Sequence, residues 1–408
     1  MASLHKNILY SSILTTANYI FPLLTYPYVS RVLGVANIGT CNFVDSIINY
    51  YILFSMLGVV TLGIREIAKT KHDRQLLEKT FSKLFSINTV TTTIALAALA
   101  ISILTVPKLH ENQELMWIGA LKLISNYLVI DWLYKGLEEF KYITNRTIAV
   151  KCLYVAAVFL FVKSPEDVGT YYLLLTLMIT GNAIVNILHA RRYVNFRFSL
   201  KDSGPYLKSV VILGLYALLT SMYTTFNVAF LGFTSGDVEV GYYVTSHKIH
   251  KIILSLFTAV TGVMLPRMSS ILADRRFDEF KRLLKKSLLL LLLIFIPVSV
   301  LMAIFAPEII RILAGPGYEG AILPLQIISP LLIIIGIEQI IIIQGLMPLG
   351  KDKAVLANSF AGAVTGIALN IWLVPEYGAI GSAIAWYASE CAVLTSALLF
   401  FRKAIKEN

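Results

Sequence analysis

Charge is what this chain of 408 residues has little of: 14% is Asp, Glu, Lys or Arg, whereas 57% is hydrophobic. Soluble domains carry about 25% charged and about 45–50% apolar residues, so the balance points into lipid. Long polar segments are missing too. The longest stretch between apolar runs is about 20 residues, too short to bury a core of its own. Cysteine is scarce, and Cys41, Cys152 and Cys391 lie far apart without CxxC spacing. That argues against disulfide or thiolate-metal chemistry and leaves buried small hydrophobes. No HExxH, GxSxG or DxD pattern occurs. The run Gly345-Leu-Met-Pro-Leu-Gly-Lys351 starts like a phosphate-binding loop, but Asp352 stands where Ser or Thr is required. It also follows an apolar run rather than a strand, so it reads as a turn. Without a nucleotide site, energy has to come from an ion gradient, the membrane potential or downhill substrate flow. A cleavable signal peptide is not expected, because the first apolar stretch, 8–30, is longer than a signal h-region and has no small-residue cleavage site behind it.

What is present is a series of apolar runs near the roughly 20 residues that cross a hydrocarbon core of about 30 Å. Twelve are read, at 8–30, 42–64, 84–106, 115–137, 145–163, 168–189, 206–232, 240–264, 285–306, 321–347, 355–374 and 379–401. The fold expected is all-α and integral to the membrane. With the N-terminus placed in the cytoplasm, 27 of the 35 Lys and Arg residues fall on the cytoplasmic side. Four (Arg31, Lys108, Lys163 and Arg311) fall outside, and four (Lys122, Lys151, Lys248 and Lys251) lie within spans. A wrong span count would scramble this alternation from the error onward, so an even number with both termini inside is expected. The net charge of +11 is thereby a matter of topology rather than of nucleic acid.

Shifted by 202 residues, the chain begins to match itself. Gly34-Val-Ala-Asn-Ile-Gly39 falls on Gly236-Asp-Val-Glu-Val-Gly241, Arg65 on Arg267 and Lys83 on Lys285. With a small slip, Val106-Pro107-Lys108 meets Ala306-Pro307-Glu308. Six spans per half is even, so the halves enter the membrane the same way up, a parallel repeat about an axis along the membrane normal. The expected domains are an N-terminal lobe, 1–203, and a C-terminal lobe, 204–408, flanking a central cavity that opens to one side at a time. Such duplication serves transport and has no evident use in an enzyme.

Pro27-Tyr-Val-Ser-Arg-Val-Leu-Gly34, Ile38-Gly39, Ser46-Ile-Ile and Gly63-Ile-Arg-Glu-Ile-Ala68 resemble the opening of the bacterial polysaccharide, or O-antigen, repeat-unit flippases. These form the Wzx-type branch of the multidrug/oligosaccharidyl-lipid/polysaccharide exporter superfamily. Glu376-Tyr-Gly-Ala-Ile-Gly-Ser-Ala-Ile-Ala385 resembles the pattern before that family's twelfth helix. Length, span count and repeat agree over essentially the whole chain. The resemblance implies that the chain is no enzyme but moves undecaprenyl-pyrophosphate-linked oligosaccharide from the cytoplasmic to the outer leaflet of a bacterial inner membrane. It would serve lipopolysaccharide and other surface polysaccharide, with a polysaccharide polymerase and chain-length machinery as candidate partners. No cofactor is expected beyond a coupling cation, H+ or Na+.

Ionisable residues inside spans cost about 2.5–3.5 kcal/mol on insertion scales, and they usually face a bundle interior or a wet cavity. His247, Lys248, His250 and Lys251 occupy one arc of about 160° on span 8. Under the repeat, His247, Lys248 and Lys251 fall on Asp45, Ser46 and Asn49 of span 2, which share a polar arc with Asn42. These faces are expected to line the cavity, the lysines drawing a pyrophosphate or acidic sugar and Asp45 binding a counter-ion or sugar hydroxyls. The competing reading is that Asp45 and a lysine neutralise each other, or that the lysines snorkel to the surface.

Further candidates are Arg31 at the outer mouth of span 1 and Lys122, which shares a face of span 4 with Asn126. Asp131 and Lys135 have the spacing of a helix ion pair. Lys151, Glu338 and Glu390 have no evident partner, although either glutamate could join cation coupling. Asn18, Pro22 and Pro27 suggest a bent first helix. The basic and apolar residues of 267–286 alternate as in an amphipathic helix lying on an anionic leaflet.

Three other functions compete. A drug or metabolite exporter would share the fold, but a more acidic and apolar cavity would be expected. A lipid II flippase would carry about two further spans and more cavity arginine. A membrane glycosyltransferase or polymerase would need a large outer loop bearing catalytic groups.

Overall fold

The computed structural model describes residues 2–201 and 203–406, apart from the side chains of 2–5, 8, 19, 216–220, 222–224, 256–263, 265–266, 273, 352 and 406. It is helical, with no strand among the described residues. The chain divides into two compact units, Met1–Leu218 and Leu219–Asn408.

The first unit contains α1 (Ala2–Met56), α2 (Val59–Thr70), α3 (Arg74–Thr105), α4 (Pro107–Glu111), α5 (Gln113–Val129), α6 (Asp131–Gly136), α7 (Phe140–Phe161) and α8 (Val168–Ala190). The helix α9 (Gly204–Ser235) crosses the boundary. The second unit continues with α10 (Asp237–Ala273), α11 (Phe277–Ile304), α12 (Ala306–Leu313), α13 (Ile322–Ile328), α14 (Leu331–Gln339), a π-helical run Ile340–Leu346 and α15 (Asp352–Lys406).

Among the described residues six helices are long and apolar enough to cross a membrane, and a pair bent by 41° at Ser329–Pro330 makes a seventh. Two of the six, Leu9–Thr70 and Lys353–Ile405, carry two predicted spans each. Straight, α1 and α15, at 55 residues each, would reach roughly 80 Å at about 1.5 Å per residue, well over a hydrocarbon core. Each is broken instead at one glycine, Gly34 (φ 75°, ψ 170°) or Gly378 (φ 50°, ψ −125°), in conformations that a Cβ disfavours. The predicted spans 4, 7 and 8 lie on α5, α9 and α10.

The sequence repeat is visible in the backbone. Gly236, the partner of Gly34, takes the same conformation (φ 88°, ψ 177°) between α9 and α10. Pro107 and Pro307 each sit in the first turn of a short helix, α4 and α12, where the missing N–H leaves no bond unmade. Each first corner is pinned to the end of its unit's fifth span. Tyr28 donates to the Val162 carbonyl at 2.6 Å and Asn37 to that of Pro165 at 2.8 Å. In the second unit Ser235 donates to the Val374 carbonyl at 3.0 Å, and the Ala379 N–H donates to Glu239 at 2.7 Å.

Five local expectations are corrected. Helical geometry runs through Pro22 and Pro27, and the non-helical residue of α1 is Gly34. Predicted span 2 breaks at Leu57 (φ 40°), where Gly58 N–H donates to the Val210 carbonyl at 3.1 Å. Span 4 breaks at Ile130 (φ 41°), and span 10 divides at Pro330. The basic segment before span 9 is not a separate surface helix. Its residues 277–286 open α11, and Phe280 is buried against Met268 and Ile271, so the apolar face packs inward while the charges stay exposed.

The run Gly63–Ala68 has a packing role. A Cβ at Gly63 would meet the Trp132 ring at 2.5 Å, and one at Gly136 would meet Ile67 at 2.6 Å. Two glycines thus let α2 and α6 close over a core that includes Phe81 and Trp132.

Candidate functional site

In the first unit, the second arm of α1 carries Asp45 and, one turn on, Asn49. Lys122 of α5 and Tyr172 of α8 meet them. Lys122 forms an ion pair with Asp45 and reaches the Asn49 side-chain oxygen at 3.5 Å. Asn49 donates to Asp45 at 3.1 Å, and the Tyr172 hydroxyl donates to the same carboxylate at 3.2 Å. Three helices are thereby tied by one carboxylate whose two oxygens are both engaged. Of the two readings left open for Asp45, mutual neutralisation with a lysine is what the geometry shows, and the lysine is Lys122. Tyr172 was not singled out from the sequence, because a tyrosine in an apolar run reads as core until its hydroxyl finds a partner.

Arg31 lies three residues before the Gly34 break and donates to the Pro27 carbonyl at 2.7 Å. Asp131 does not pair with Lys135. It opens α6 after the Ile130 break and meets Arg146 of α7 at 3.0 Å, with Asn186 of α8 donating to the same oxygen at 2.9 Å. Lys151 has a partner after all, donating to Asn18 at 2.7 Å.

The second unit holds a cavity of about 220 Å³ whose walls include His247 and Lys251 of α10, Glu338 of α14, and Trp386 and Glu390 of α15. His247 and Lys251 are one turn apart, so they share a wall. The arc of four splits at this point. His250 is fully buried behind the cavity, its ring edge-on to Trp386 at 5.1 Å, and neither ring nitrogen meets a described hydrogen-bond partner. Lys248 is not among the lining residues.

The two glutamates that lacked partners in the sequence have each other. The Glu338 and Glu390 carboxyls, from α14 and α15, adjoin each other on the wall of this cavity. Trp386 donates its indole N–H to Glu390 at 2.8 Å and stands edge-on to His247 at 4.7 Å. Lys251 makes no ion pair with a described residue, though it shares the cavity wall with Glu390. A relay of buried amides reaches the same cavity: Asn370 donates to Asn227 at 2.9 Å, and Asn227 to the Tyr243 hydroxyl at 2.9 Å.

The size decides what can enter. At about 30 Å³ per water, 220 Å³ holds a handful of waters or a small ion, but no oligosaccharide. Taken separately, the units show one plan. Spans 2, 4 and 6 bring together an acid, a base and a tyrosine. Spans 8, 10 and 12 bring together a base, an acid, and an acid with a tryptophan.

The chain is similar to several known proteins. Residues 4–272 match the family described as polysaccharide biosynthesis protein, and residues 213–372 match the MatE family. A protein of Escherichia coli strain K12 named as an O-antigen transporter is 28% identical over 98% of this chain and 97% of its own length. Among solved structures, lipid II flippase MurJ in an inward closed conformation superposes with a TM-score of 0.78 at 17% identity, covering 97% of this chain and 87% of that one. An inward-facing multidrug resistance transporter of the MATE family gives 0.68 at 15% identity, covering 95% and 94%. At those identities the structures speak to the fold alone.

Proposed function

This chain belongs to the polysaccharide biosynthesis protein family, and from that premise we propose that it flips undecaprenyl-pyrophosphate-linked oligosaccharide repeat units to the outer leaflet for cell-surface polysaccharide. The relative named as an O-antigen transporter, matched from end to end, supports that substrate class. The observation that carries the reading is the pair of acid–base clusters on equivalent spans of the two units. Ionisable side chains in lipid are retained for a task, and the duplicated plan suits two lobes working alternately. On this reading the protein is a transporter rather than an enzyme and lies in a bacterial inner membrane, and the lysine and arginine distribution supports cytoplasmic termini. Polymerase and chain-length machinery would act on its product.

Within this reading the second-unit cavity is the coupling site. It is sized for a proton or small cation, and on this reading the Glu338–Glu390 pair takes up and releases a proton beside Lys251 and His247. On this reading His247 and Lys251 on the cavity wall draw the anionic pyrophosphate toward α10, and Arg31 acts similarly at the end of the first arm of α1. The Asp45–Lys122–Asn49 knot holds its helices in register.

The test uses a polysaccharide-displaying host without its own repeat-unit flippase. Lipid-linked oligosaccharide is quantified on each membrane face after restoring the wild type or the Glu338→Gln/Glu390→Gln double variant. Cytoplasmic accumulation relieved only by the wild type supports both flipping and coupling. A lipid-linked pool that never changes sides rejects flipping and sends the protein to drug-efflux assays.

A further inference from the structure

The first unit carries a second polar cleft, separate from the clusters above. It has a volume of about 610 Å³ and lies between the opening turns of α3 and the irregular segment 197–201. Lys79, Ser82 and Lys83 face it from the helix, and Arg197, Ser199 and Lys201 from the segment. One carboxylate, Glu78, joins the lining, but it already meets Arg74 at 3.4 Å and accepts from Asn195 at 3.1 Å. Four cations therefore surround a space with a single, occupied anion.

The segment is built and not merely draped. Phe196 stands edge-on to Phe81 and Phe85 at 5.3 and 5.4 Å, and Val194 is fully buried. The Ser199 N–H donates to Ser86 of α3 at 2.8 Å. Arg197, Ser199 and Lys201 line the cleft, while Phe198 and Leu200 are thrust outward, 65% and 46% exposed. Lys83 is held at the floor, 8% exposed, with its ammonium over the Tyr206 ring at 6.0 Å.

We propose that this cleft binds the phosphate headgroup of an anionic phospholipid in the leaflet beside it, with Phe198 and Leu200 set into the acyl region. The basic cleft and the serines answer the phosphate oxygens. Apolar side chains exposed beside a basic site are what a peripheral lipid contact needs and a soluble anion does not. Calling that leaflet cytoplasmic rests on the orientation proposed above. The chemistry of the site does not.

The full-length protein, purified in detergent, is titrated with phosphatidylglycerol, with phosphatidylcholine and with inorganic phosphate, and read by native mass spectrometry and by melting temperature. One phosphatidylglycerol retained per chain in preference to phosphatidylcholine is expected. Retention should fall by at least five-fold in the Arg197→Gln/Lys201→Gln variant, and also in Phe198→Ala, which leaves the charges in place. Equal retention of the two lipids, or a variant that holds phosphatidylglycerol as the wild type does, overturns the site. A melting shift from inorganic phosphate equal to that from phosphatidylglycerol overturns the lipid as its occupant. These readouts need no transport, so they stand or fall apart from the flipping assay.

Discussion

Trp386 donates its indole N–H to the carboxylate of Glu390, one turn along the same helix, at 2.8 Å, and its ring meets both His247 and His250 edge-on. One side chain thus touches the acid and the basic face of the second-unit cavity together. The Trp386→Phe variant keeps the ring and deletes the bond. Transport should fall several-fold with the protein still folded, whereas Trp386→Ala should lose more, because the two imidazoles lose their neighbour. Flipping rates and melting temperatures of the two variants side by side check this. Equal rates for Phe and Trp would remove the hydrogen bond from the account.

Replacing either carboxyl of the coupled pair by an amide keeps shape and hydrogen bonding but removes the exchangeable charge. Glu390→Gln and Glu338→Gln should each lower transport by at least ten-fold and flatten its dependence on the proton gradient. Vesicle uptake measured with and without an imposed gradient reads this directly. A variant that stays gradient-driven at the wild-type rate would relocate coupling elsewhere.

Lys122→Met strips Asp45 of its ion pair. Removing one partner from a buried pair destabilises by about 3–5 kcal/mol, and roughly half that is expected for this pair, since Asp45 keeps a third of its side chain exposed. The Asp45→Asn/Lys122→Met double variant should recover most of the loss. Thermal unfolding in detergent tests it, and a double variant no more stable than the single one speaks against the pairing as the cause.

Gly34→Ala and Gly236→Ala should be destabilising to a similar degree, by about 1–3 kcal/mol each, because both backbones sit where an L side chain is strained. There is open space around both positions, so crowding is not the reason. Melting temperatures that differ widely between the two variants would mean that the repeat is not mechanically equivalent.

Much of the architecture was legible from the order of apolar runs and cations, which helical length and membrane asymmetry oblige to alternate. The repeat was legible through Gly34 and Gly236, whose shared conformation leaves a mark in sequence. The breaks at Leu57 and Ile130 were not, because a left-handed leucine or isoleucine carries no local signal and is held there by its surroundings. Partners across helices were equally hidden. Asp131 has Lys135 at helix spacing, yet its actual partners, Arg146 and Asn186, are brought to it only by the packing of α7 and α8. Trp386 was the avoidable miss, for its four-residue distance from Glu390 is the same spacing that drew attention to Asp131.

The single-glycine corners also bear on how the chain enters the bilayer. Where a polar loop joins two spans, that loop must be carried through the hydrocarbon. Gly34, Gly236 and Gly378 leave almost nothing to carry, since helix resumes directly after each of them. Spans 1 and 2, 7 and 8, and 11 and 12 are therefore fitted to insert as closed hairpins, each pair delivered in one event with its basic flanks left behind on the side of synthesis.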